Sequence, residues 1–257
     1  MEFVVIAIIA FIASGLTFFS GFGLGTLLLP AFSFFFPVQV AIALTAIVHF
    51  LNNIFKLLLV GRQAKWNVVL KFGLAAILAA FIGAWLMGGL INQPVLTSYV
   101  LFGKTFQILW IKVIIAAVMI SFTLFEIVPA LQRLQFDEKY LPVGGFLSGF
   151  FGGLSGHQGA LRSAFLLRLK LSKEAFIGTG VVIACFIDIA RFVVYLKSMD
   201  AAMINDKASL LFVAVAAAFV GAYLGNRFLK KMKIEVLQKV VALMLILFSF
   251  AMALGFV

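Results

Sequence analysis

Long apolar runs separated by short polar loops organise this chain. The runs Val38–Val60, Val68–Ile91, Ile108–Leu131, Ala175–Leu196, Ala208–Leu229 and a last one ending at Val257 approach or exceed the ~20 residues that carry a helix across a bilayer. Four shorter pieces, Phe3–Phe19, Thr26–Phe36, Leu141–Leu154 and Ala160–Leu169, flank two glycine-rich stretches, Ser20–Gly25 and Gly152–Gly159. Strands of a membrane barrel would be shorter and would alternate apolar with polar residues; no such alternation is read here. The pattern predicts an all-α integral membrane protein.

The plan is repeated. "SGLTFFSGFGLG" from Ser14 matches "SGFFGGLSGHQG" from Ser148 with a one-residue slip. Asn53 and Lys56 correspond to Asp188 and Arg191, and "GAWLMGG" from Gly83 to "GAYLGNR" from Gly221. Two halves follow, 1–131 and 141–257, each a broken-helix hairpin plus three long spans. The hairpin is either re-entrant or a pair of short tilted crossings. The piece after Gly159 is about ten residues, or roughly 15 Å of helix, against a hydrocarbon core of about 30 Å. The bend is therefore expected near mid-membrane, where irregular backbone survives only if protein buries it or water reaches it.

Composition agrees with the pattern. The chain has 257 residues, 65% hydrophobic and 11% charged, with a mean hydropathy of +1.21. Its net charge of +11 sits in short loops, so it reads as topology rather than as nucleic-acid binding. Loops 61–71, 168–174 and 227–239 are basic, whereas their counterparts in the other half are weakly charged or balanced by Asp200 and Asp206. Basic short loops face the cytoplasm, which predicts two halves of inverted topology in a cell membrane (inner or plasma). "MEFVVIAIIAFIASG" lacks the basic start of a signal peptide and reads as the first membrane segment. Cys185 is the single cysteine and carries no disulfide or redox argument.

Candidate chemistry concentrates at the bends. A helix that starts inside the membrane presents unpaired N–H groups and a partial positive charge, and glycine lets an anion approach them. The first bend offers Ser20, Gly21, Gly23, Gly25 and Thr26; the second offers Ser155, Gly156, His157, Gln158 and Gly159. Side-chain donors are expected mainly from Ser155, His157 and Gln158. On the long spans, Thr45, His49, Asn52, Asn53 and Lys56 recur at three- and four-residue steps and are read as one face. Thr179, Asp188 and Arg191 stand on the matching span, and Asp188 and Arg191, three apart, are spaced to pair. Ionisable residues inside a membrane are functional candidates, so His49, Lys56 and Asp188 are candidates for charge balance or proton coupling. The competing reading of Lys56 and Arg191 is snorkelling to the interface. Glu126 and Lys112, near the ends of their span, read as interfacial. The glycines of "GAWLMGG" and "GAYLG" read as close-packing residues. No metal-ligand spacing, nucleophile cluster or phosphate-binding P-loop appears, so neither a cofactor nor an enzyme activity is expected.

"SGFGLGTLLLP" before a long span and a short basic loop containing Trp66, then "SGFFGGLSGHQGALRSAFLL" and "GTG" at Gly178, resemble the TauE/SafE (TSUP) sulfite exporter family. The resemblance covers nearly the whole chain. Two positions depart from it: Phe22 stands where a small residue is usual, and His157-Gln158 where glycines are common. The resemblance implies a duplicated secondary carrier for sulfite, sulfonates or other small organosulfur anions. This agrees with the anion site inferred from the bends. A passive anion channel on the same scaffold and a membrane subunit of a larger assembly are the alternatives. A proton is a candidate coupling ion, and assembly into homo-oligomers is left open.

Overall fold

The computed structural model describes residues 1–17, 23–91, 93–198, 204–228 and 235–257. The bend residues Ser20 and Gly21 lie outside them, as do Phe22 and Asp200. Helices α1 (Glu2–Leu16) and α2 (Leu24–Ser33) precede α3 (Val38–Val60), a 3-10 turn at Gly61–Gln63 and α4 (Trp66–Ile91). Strands β1 (Val95–Leu101) and β2 (Lys104–Leu109) lead into α5 (Trp110–Ile127) and the short α6 (Pro129–Gln132). Then follow α7 (Leu141–Ser155), α8 (Gly159–Leu166), α9 (Lys173–Ser198), α10 (Ala208–Phe228) and α11 (Glu235–Ala253). Among the described residues, α3, α4, α5, α9 and α10 are long and apolar enough to cross a membrane. Helix α5 stops before the expected Leu131 because Val128 is extended ahead of Pro129, the conformation that a following proline imposes.

The stretch 92–107 corrects the sequence reading, which saw no strands. Residues 95–109 form an antiparallel hairpin that pairs Tyr99 with Phe106 and Leu101 with Lys104. The two-residue loop Phe102-Gly103 has φ of 50° and 74°, as a type I′ turn requires. Among the described residues this exposed hairpin between α4 and α5 is the one sheet; the other elements are helices. Tyr99 stacks on Phe106 and donates to the carbonyl of Leu254 at 2.7 Å, while Phe256 packs edge-on to both rings. The hairpin thus rests on the C-terminal end of the chain.

Helix packing is reciprocal between the two sequence halves. Helix α7 runs along α4 in the same direction. Gly145, Gly149 and Gly153 face the backbone of Phe72, Ala76 and Ala80 so closely that a Cβ would run into their carbonyl oxygens. Gly83 meets the carbonyl of Phe150 in the same way. Helix α1 runs likewise along α10, with Gly221 on the carbonyl of Phe11 and Gly225 on Gly15. Small residues at four-residue steps let two helix backbones touch, which is how apolar helices associate where there is no water to drive them together. The glycines Gly83, Gly221 and Gly225 therefore serve packing, as read from the sequence. Helix α3 crosses α9 between these two pairs, and α5 lies against α11.

Two surface ion pairs gather the basic loops. Lys71 meets Glu138 and Arg168 meets Asp137, each at 2.8 Å. These contacts bring the start of α4, the 133–139 connection and the end of the α8 hairpin onto one face. The backbone of Val60 and Ala64 reaches the same face against Gly178.

Candidate functional site

The second bend is built to end one helix and start another within three residues. Gly156 has a φ of +82°, and a Cβ there would stand 2.5 Å from Arg191 Nη1. Both the left-handed backbone and the close approach demand glycine. The last carbonyls of α7 find donors: Gly152 accepts from Gly156 N–H at 2.9 Å and from Arg191 Nη1 at 3.5 Å. Gly153 and Leu154 accept from the Tyr195 hydroxyl at 3.0 and 3.3 Å. Ser148 Oγ donates to the carbonyl of Gln158 at 3.0 Å and so ties α7 to the start of α8. A helix end inside a bilayer needs such partners, and a guanidinium also complements its negative end.

The two bends abut. Gly23 stands immediately before α2, and the carbonyl of Gly156 lies 3.9 and 3.8 Å from where Cβ atoms of Gly23 and Gly25 would be. Helices α2 and α8 therefore start at neighbouring points, each presenting the positive end of its dipole.

Beside the bends, α3 and α9 share a buried polar knot. Asp188 Oδ2 lies 2.7 Å from His49 Nδ1 and accepts from Asn53 Nδ2 at 2.7 Å. Its Oδ1 accepts from Arg191 Nη2 at 3.2 Å. An ionised carboxylate only accepts, so the short contact to His49 places the imidazole proton on Nδ1. The 3.1 Å approach of Asn53 Nδ2 to the same nitrogen is then a meeting of two donors, not a hydrogen bond.

A cavity of about 290 Å³ opens next to this knot. His49, Asn53 and Lys56 line it from α3, Thr17, Gly23 and Leu24 from the first bend, and Gln158, Gly159, Arg162 and Ser163 from the second. Gly180 and Ala184 line it from α9, and Leu167 and Phe176 at the end where α8 gives way to α9. Lys56 is buried and donates to Thr17 Oγ1 at 2.8 Å. Arg162 Nη1 donates to Gln158 Oε1 at 3.4 Å. Gln158 Nε2 is buried and has no partner among the described residues.

The structure separates the sequence candidates. His49, Asn53, Lys56, Gly23, Gln158 and Gly159 share the cavity wall, and Asp188 stands behind it, bonded to His49 and Asn53. Asn52 does not belong to the same face: it lies round the helix and accepts from Ser14 Oγ at 2.9 Å, joining α3 to α1. Thr179 accepts from the backbone N–H of Lys65 at 2.9 Å and so holds the loop before α4. Ser155 donates to the carbonyl of Phe151 and meets His157 Nδ1, whose ring stacks on Phe122. Of the three expected side-chain donors, Gln158 alone lines the cavity. Thr26 and Gly25 are buried beside the bends, outside the cavity wall. Lys56 and Arg191 are 5% and 2% exposed, which rules against snorkelling, and Arg191 serves Asp188 and the end of α7. Glu126 and Lys112 are half-buried near opposite ends of α5. Arg162 was missed; its signal is the Gln158–Arg162 spacing of four at the start of a helix, which puts both on one face.

Comparison with known proteins gives one positive finding. Residues 6–252 match the family described as Sulfite exporter TauE/SafE. No curated protein and no solved structure matches the chain.

Proposed function

The chain belongs to the sulfite exporter TauE/SafE family of membrane transporters, and from that premise we propose that it is a secondary transporter of small sulfur-containing oxyanions working by alternating access. The observation that carries this reading is the cavity where the two bends meet, with Lys56 and Arg162 in its wall. In the proposed mechanism the anion enters past Leu167 and Phe176. Its oxygens take hydrogen bonds from Arg162, Lys56 and Gln158 Nε2, and the N-terminal ends of α2 and α8 add favourable dipoles. Carriers of inverted repeats hold their substrates at such broken helices.

The halves 1–131 and 141–257 are the two moving bodies in this proposal. The reciprocal pairs α4–α7 and α10–α1 give each half a rigid helix against which the other half's hairpin is held. With the basic loops 61–71, 168–174 and 227–239 in the cytoplasm, the cavity faces inward. The His49–Asp188–Arg191 knot sits at its deep end, where binding and release of a proton would couple to rearrangement of the barrier.

Counterflow of labelled sulfite in proteoliposomes tests the reading. Wild-type protein is expected to show saturable exchange, whereas a passive channel gives unsaturated current that follows voltage. Gly23→Leu and Gly159→Leu place side chains in the cavity and are expected to abolish exchange in protein that still elutes as a single species. Undiminished exchange in both would refute the site.

A further inference from the structure

Resting on that reading, we propose that the cavity selects by charge and takes a doubly charged small oxyanion in preference to a singly charged one, with Arg162 as the residue that makes the distinction. Lys56 and Arg162 reach the cavity from two different helices, α3 and α8, and no Asp or Glu lines it among the described residues. Asp188 stands behind the wall with its oxygens taken by His49, Asn53 and Arg191. Its charge is engaged by the Arg191 guanidinium and is also felt by Arg162, so it offsets one of the three cations Lys56, Arg162 and Arg191 and leaves two. The starts of α2 and α8 add partial positive charge at the same place.

A singly charged ligand would leave this low-dielectric wall with an excess of positive charge, and a doubly charged one would match it. Arg162 is suited to reading the second charge. Its planar donor fork engages two oxygens at once, which an ammonium cannot do. Its hydrogen bond to Gln158 Oε1 orients that amide, leaving Nε2, buried and without a partner among the described residues, as a further donor in the same wall. At about 290 Å³ the cavity stands at the small end of the ~300–1,000 Å³ ligand-pocket range, which suits a compact oxyanion.

Competition against labelled sulfite counterflow at constant pH tests the proposal. Sulfoacetate and isethionate share a sulfonate head and a similar length but carry two and one negative charges. Sulfate and perchlorate share a tetrahedral shape with the same difference. The dianion of each pair is expected to compete at least about tenfold better, because a second charge close to a guanidinium is worth more than that at protein dielectric. Arg162→Gln is expected to bring both ratios near unity, and Arg162→Lys to retain part of the preference. Should Arg162→Gln not fold, the wild-type ratios together with Arg162→Lys decide the matter. Equal competition within both pairs, or no competition by either dianion while sulfite is exchanged, overturns the charge proposal and leaves anion transport standing. Absence of sulfite exchange by the wild type overturns the proposed function itself.

Discussion

Asp188→Asn is expected to be among the most destabilising conservative changes available in this chain, and a second change at Arg191 is expected to reverse most of the loss. Asp188 Oδ2 faces His49 and Asn53, each at 2.7 Å, and Oδ1 faces Arg191 at 3.2 Å. An asparagine can keep one oxygen toward His49 and Asn53, but its NH₂ then faces the guanidinium. Arg191 stays charged wherever it is placed and is 2% exposed. Removing one partner of a buried pair costs about 3–5 kcal/mol, because the other charge is left uncompensated. In Asp188→Asn/Arg191→Gln that charge is gone, and what remains lost is a hydrogen bond or two of about 1 kcal/mol each. Thermal unfolding in detergent can be followed with a thiol-reactive fluorophore. Cys185 is the chain's single cysteine and is buried in the fold, so its labelling reports unfolding without an engineered probe. If the double variant melts as low as Asp188→Asn, the buried charge is not the source of the cost and the knot has been misread.

Two further comparisons test packing and surface charge. Gly149→Ala puts a methyl into the carbonyl of Ala76 and should cost at least the ~1–3 kcal/mol of overpacking, whereas Gly89→Ala, with nothing within 4 Å of its Cβ, should gain about 0.5–1 kcal/mol of helix stability in the same melt. Glu138→Gln breaks the pair with Lys71, whose side chains are 46% and 53% exposed; it should change stability by less than ~1 kcal/mol, and less still at high salt.

The helical frame was legible because a bilayer leaves few alternatives. Val38–Val60 was read to the residue, since Pro37 and Gly61 bracket a predominantly apolar run of membrane-spanning length. Gly83, Gly221 and Gly225 were legible as packing residues for a related reason, since only small residues let two helices meet at backbone distance, whereas Gly145 and Gly149 were not singled out and Gly153 was read as part of the bend. The hairpin at 95–109 was missed although its signs were present. β-branched and aromatic residues flank a two-residue turn with glycine second, which is a hairpin signal. The apolar context drew the reading toward spans, and a single exposed hairpin leaves no barrel-like repeat to notice.

The candidate site was half legible, and the half that failed did so for a geometric reason. Spacing along one helix ranks residues by face, and it grouped His49, Asn53 and Lys56 correctly. It admitted Asn52 as well, because an offset of about 100° per residue still falls within a broad polar stripe. What decides is the helix packed against each edge of the stripe, and α1 claims Asn52 through Ser14. At the bend the same limit acts more strongly. Ser155, His157 and Gln158 lie within four residues of one another, yet beyond the left-handed Gly156 the chain places the His157 ring on Phe122 and Gln158 in the cavity wall. Arg162, the third residue of the short apolar piece Ala160–Leu169, was passed over although it stands four residues after Gln158. Only the return of α8 toward the face it came from brings its first turn, and with it Arg162, against Lys56 and the bend. A polar residue in a membrane chain is therefore placed by the direction in which its half-helix runs, and that direction is fixed here by the contacts of Arg168 with Asp137 and of Ser148 with Gln158, neither of which has a signature in local spacing.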